Sequence, residues 1–94
     1  MEGSSLENLD FFKNMLSINN GFELHYNNSL KNINGLTSVT DMPGNLLIWN
    51  NEQLSDFCGL KTTANNNGFG DFFSITGNLY NPTQEEIKTE NCSQ

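Results

Sequence analysis

Few side chains in this chain have the type and spacing to do chemistry. His25 is its one histidine, with Glu23 the nearest acid. An imidazole with no nucleophile or second carboxylate in register reads as a surface or hydrogen-bonded histidine rather than a general base. Asp41, Asp56 and Asp71 recur at intervals of fifteen residues, out of phase with the repeat described below, so they are not expected to converge. The loop "NNNGFGD" (65–71) offers calcium a single carboxylate, too few for a strong oxygen cage, and reads as a mobile corner. Cys58 and Cys92 form no Cys-x-x-Cys pair, and one histidine does not complete a zinc site with them. They read as a disulfide in an oxidising compartment, or as two buried thiols. No catalytic residue, metal site or cofactor is therefore expected, and the chain does not read as an enzyme. Glycoside hydrolysis wants two facing carboxylates, and Glu23 is the one acid expected on the strand face.

The composition narrows the partners. Ninety-four residues allow one domain with a modest core. Eleven carboxylates stand against four lysines and no arginine, which argues against nucleic acid and against an anionic membrane surface. The opening "MEGSSLENLD" holds no apolar signal segment, and no run approaches the roughly 20 apolar residues of a membrane span, so membrane insertion is not expected. Seventeen asparagines imply many tight corners and few long helices.

Those corners are periodic. Leu6, Leu30 and Leu54 are spaced by 24, as are Leu9, Ile33 and Phe57, then Phe12, Leu36 and Leu60. Phe22, Leu24, Asn27 and Leu30 recur as Leu46, Ile48, Asn51 and Leu54; Phe73, Ile75 and Asn78 follow after three extra residues. The resulting apolar-x-apolar-x-x-Asn-x-x-Leu pattern is the signature of a leucine-rich-repeat solenoid. It predicts a mainly β fold: a right-handed parallel β-solenoid of about three coils of 24 residues (6–29, 30–53, 54–78) with a C-terminal cap (79–94), all one domain. A buried asparagine carries both donor and acceptor, so Asn27, Asn51 and Asn78 are expected to form a ladder between coils; the competing reading makes them surface turn residues.

Parallel strands are expected near 22–25, 46–49 and 72–76, with a second, weaker strand face carrying Leu9, Ile33 and Phe57. Corners are expected at 19–21, 43–45 and 65–71. In "NPTQEEI" (81–87), Asn81 is the expected N-cap and Pro82 the first helical residue of a capping helix that presents Ile87 to the last coil. Cys92 then returns towards Cys58. The leading "MEGSS" offers no capping helix, so either 6–16 covers that end or upstream coils of a longer parent chain do.

The segments "SLKNINGLTSV…GNLLIWNNEQLSDFCGL" and "GNLYNPTQEEI…NCS" resemble the receptor L domain of insulin and epidermal growth factor receptors, and the L-domain-like leucine-rich regions of secreted and surface bacterial proteins. The resemblance runs nearly the whole chain from Leu6 and implies architecture. It implies no catalytic residue, and its domains bind varied partners.

If Phe22, Leu24, Leu46 and Ile48 point inward, alternation turns Glu23, His25, Leu47, Trp49, Ser74 and Thr76 outward, with Tyr26 at the flank. Leu47 and Trp49 then form an exposed apolar patch, unless a flanking loop or a neighbouring domain covers Trp49. The leading functional expectation is a non-catalytic recognition module of a secreted or cell-surface protein, binding protein or glycan through the strand face. The alternative is a structural end of a larger leucine-rich-repeat protein with no ligand of its own. Two N-x-Ser sequons occur, at Asn27 and Asn91; only Asn91 is expected to be accessible for a glycan in a eukaryotic secretory pathway.

Overall fold

Period-2 alternation places three strands where the apolar pairs predict them. In the computed structural model, which describes residues 6–94, β1 is Phe22–His25, β2 is Leu46–Trp49 and β3 is Phe73–Thr76. They form one parallel sheet in the order β1-β2-β3. Phe22 pairs with Leu46 and Leu46 with Phe73, so the three-residue insertion is absorbed before β3 without shifting its register. Phe22, Leu24, Leu46, Ile48 and Ile75 are buried beneath the sheet with Leu9, Ile33, Leu36, Phe57, Leu60 and Ile87. The expectation drawn from "MEGSS" lies outside the described residues.

The predicted mainly β, three-coil solenoid does not hold. Helix and strand each account for 21% of the described residues, and the strands make a single sheet rather than a solenoid. The whole measures 29 × 24 × 21 Å, nearly as wide as it is long. Opposite the sheet, Leu9, Ile33 and Phe57 do not form a second strand face. Each instead leads into a 3-10 turn: Asp10–Phe12, Asn34–Leu36 and Cys58–Leu60. The physical cause is a side chain one residue earlier. The side-chain oxygens of Asn8, Asn32 and Asp56 accept from the N–H groups of Asp10, Asn34 and Cys58 at 3.0, 3.1 and 3.0 Å. Such Asx turns offer the backbone a local partner in place of a ladder.

These turns stack so closely that a Cβ at Gly59 would overlap the carbonyl oxygen of Ile33. Gly59→Ala is accordingly expected to cost about 3 kcal/mol, because the obstacle is backbone and does not move aside. Chemical denaturation of the variant checks this; an unchanged midpoint would contradict the stacking.

Two short α-helices complete the structure. α1, Lys61–Asn65, has no apolar period to announce it; it buries Thr63 and Ala64, and the Thr63 hydroxyl donates to Val39 O at 2.7 Å. α2 is Gln84–Lys88 and buries Ile87 as expected. Its N-cap is Thr83, not Asn81: the Thr83 side chain accepts from Glu86 N at 3.2 Å, and Glu86 Oε1 accepts from Thr83 N at 2.9 Å. This reciprocal capping box satisfies two N–H groups that the helix leaves open. Asn81 is occupied elsewhere, as described next. Cys58 and Cys92 are joined in a disulfide, with Cα atoms 4.9 Å apart, tying the end of the chain to the third 3-10 turn.

Candidate functional site

The sheet ends in a column of amides. Asn51 Oδ1 accepts from the main-chain N–H and the side-chain amide of Asn27, at 3.0 and 3.2 Å. Asn78 Oδ1 accepts likewise from Asn51, at 3.0 and 2.9 Å. Each side-chain amide also reaches a strand carbonyl: Asn51 donates to Leu24 O at 3.0 Å, and Asn78 to Ile48 O at 3.0 Å. Asn27 and Asn51 are fully buried. That burial excludes the surface-turn reading for Asn27 and Asn51, whereas Asn78, also in the ladder, is half-buried. The column closes on Asn81, whose Oδ1 accepts from Asn78 N and Nδ2 at 2.9 and 3.0 Å. A residue expected to start a helix therefore ends the ladder.

One residue before each rung the backbone turns left-handed: Tyr26 has φ 59°, Asn50 has φ 56° and Gly77 has φ 70°. Asparagine and glycine tolerate that region, whereas a bulky aromatic does so only under constraint. At Tyr26 the constraint delivers a ring. Tyr26 meets Trp49 edge-on, with centroids 4.9 Å apart and planes at 70°. His25 stacks on Trp49 at 4.7 Å and 19°, and meets Tyr26 edge-on at 5.6 Å. Nε2 of His25 lies 4.0 Å from a Glu23 carboxylate oxygen. Three rings from two strand ends thus form one cluster on the outer face.

The candidate residues meet water to different degrees. Glu23, Tyr26 and Thr76 are exposed, Tyr26 at 45%; His25, Leu47, Trp49 and Ser74 are half-buried. Trp49 is therefore neither core nor bare. Its cover comes in part from its own neighbours, His25 and Tyr26. The stacked imidazole occupies one face of the indole. Thr76 is the partner of Trp49 in register on β3. The cross-strand rows His25–Trp49–Thr76 and Glu23–Leu47–Ser74 stand as the alternation predicts.

The remaining candidates stay apart. Among the described residues no group of three or more His, Cys, Asp or Glu side chains is placed to hold a metal ion. Of the two sequon asparagines, Asn27 is buried and Asn91 exposed. Near Asn91, Tyr80 donates its hydroxyl to Asn91 O at 2.7 Å; desolvation, and then the Glu86 carboxylate, hold its phenol above the ordinary value. Sequence reasoning missed two features of the supporting frame. The Asn8, Asn32 and Asp56 column carries the same 24-residue spacing as the asparagine ladder, so its signal was present. The left-handed column held by Tyr26, Asn50 and Gly77 had a weaker signal, Asn and Gly in two of three positions.

The disulfide is consistent with an extracellular location, and no helix among the described residues is long and apolar enough to cross a membrane. No family model, curated protein or solved structure matches the chain.

Proposed function

We propose that this protein is a non-catalytic recognition module of a secreted or cell-surface protein, taking a protein or a glycan on the outer face of its sheet around Tyr26, Trp49 and His25. The observation that carries this reading is Tyr26 at φ 59°, where the equivalent positions hold Asn50 and Gly77. Holding a non-glycine residue in that region costs on the order of 1–3 kcal/mol, and such strain collects at functional sites. Here it serves to bring a phenol ring against the indole while the residue stays exposed. Tyr and Trp together suit recognition, because each offers a large rigid surface and a polar tip. The disulfide supports the extracellular setting.

Trp49 is the one tryptophan of the chain, so its emission reports on this face alone. Arrays of oligosaccharides and of extracellular proteins are to be screened, and each hit titrated in solution. The expected result is a saturable change in Trp49 emission, with affinity lost in Trp49→Ala. Absence of hits on both arrays, or hits whose affinity survives that substitution, would remove the proposal.

A further inference from the structure

β3 is the last strand of the sheet among the described residues. Its inner side is occupied: Leu46 N donates to Phe72 O at 2.9 Å and Asn50 N to Thr76 O at 3.1 Å. Alternation therefore turns the N–H and C=O groups of Phe73 and Ile75 towards the opposite, outer edge. No strand pairs with them there. Along that edge runs an open groove of about 610 Å³, with β3 as one wall and the segment leading into α2 as the other. Among the apolar residues lining it, Phe73 is half-buried while Ile75 and Pro82 are buried, and Gln84 lies beside them. Asp71 and Glu85 are the charged residues lining it, and no lysine does.

From this edge we infer that the groove takes an extended, basic peptide segment of a partner protein, added to the sheet as a fourth strand beside β3. Main-chain groups of Phe73 and Ile75 supply the pairing, which any extended peptide satisfies. The charge sets the choice. Asp71 and Glu85 favour lysine or arginine on the incoming strand, and the chain as a whole carries a net charge of −7. A second copy of this chain is disfavoured by the same charge. A neutral oligosaccharide carries no positive charge to meet Asp71 and Glu85. Ser74 and Thr76 line the groove and also stand in register with Leu47 and Trp49, so the two surfaces adjoin; His25, Tyr26 and Trp49 do not line the groove, and Trp49→Phe tells the two proposals apart.

The test pans a random heptapeptide phage library against the full chain at low salt and synthesises the peptides recovered. Peptides enriched in lysine and arginine are expected. Their binding should perturb the amide resonances of Phe73 and Ile75 and be unchanged in Trp49→Phe. Asp71→Asn and Glu85→Gln, both at exposed positions, should each weaken binding about threefold and reduce its salt dependence, as expected of peripheral charge pairs. N-methylation of alternate peptide amides should weaken it at least ~10-fold, because it removes strand hydrogen bonds. The inference is overturned if no peptide is recovered, or if acidic and basic peptides are recovered equally. It is also overturned if N-methylated peptides bind as well as their parents, if binding is lost with Trp49→Phe, or if self-association of the chain fills the groove.

Discussion

Asn51→Leu is expected to lower the unfolding free energy by about 4 kcal/mol, from several lost hydrogen bonds and more than one buried group left without a partner. Asn51 is fully buried and sits in the middle of the ladder. Its Oδ1 receives the Asn27 main-chain N–H, and its amide reaches Leu24 O, Trp49 O and Asn78 Oδ1. A leucine fills the volume yet supplies neither donor nor acceptor. The Asn27 N–H is then buried beside a methyl group, and Asn78 Oδ1 loses one of its donors. In a chain of this size a loss of that magnitude lowers the melting temperature by roughly 15–25 °C. The neighbouring residue supplies the contrast. Asn50 holds φ 56°, so Asn50→Gly should stay within about 1 kcal/mol of the natural chain. Thermal melts of the two variants decide the matter: equal and small shifts would show that the amide column does not hold the sheet ends together.

Reducing the Cys58–Cys92 disulfide is expected to cost about 4 kcal/mol in the chain-entropy model, given the 34 residues it spans. The bond closes α2 and the terminal residues over the third 3-10 turn. Other links cross the same junction. Phe57 N donates to Cys92 O at 2.7 Å, Gln94 N donates to Ser55 O at 3.0 Å, and Lys61 pairs with Glu90. These links should keep the reduced chain folded at low temperature but not on heating. Melts with and without reductant, and of Cys58→Ser with Cys92→Ser, should agree in showing a large drop. An unchanged melting temperature would show that Ile87 and the main-chain links alone hold the C-terminal segment.

The strands were legible because Phe22/Leu24, Leu46/Ile48 and Phe73/Ile75 alternate with polar residues at a fixed spacing. A one-residue slip would have exposed every one of them. The ladder was legible because the spacing singled out Asn51 from Asn50. The return side was not, and the solenoid expectation failed there. Periodicity fixes which residues become neighbours, but Asn8, Asn32 and Asp56 decide locally that the chain turns instead of extending. α1 was illegible for a different reason. "KTTAN" has neither a cap nor an apolar stripe, and the helix is held by tertiary contacts such as Thr63 with Val39. Asn81 is a better N-cap by residue type than Thr83 is, yet its amide belongs to Asn78. A competition of that kind is settled only in three dimensions. At the candidate site the outward rows were readable. The stacking of His25 on Trp49 and the left-handed backbone at Tyr26 were not, since both depend on how the strand ends turn.

The most direct test of the recognition face is Tyr26→Asn, with ligand affinity measured on protein whose folding is followed by its melting temperature. Relief of left-handed strain and loss of the Trp49 contact oppose each other, so stability should change by no more than about 1 kcal/mol. Affinity for ligands that shift Trp49 emission should fall at least ~10-fold, because an aromatic anchor is lost. Affinity equal to that of the natural chain, or a melting temperature lowered by more than roughly 10 °C, would contradict the account. The first result would remove Tyr26 from the binding surface, and the second would make it an element of the fold.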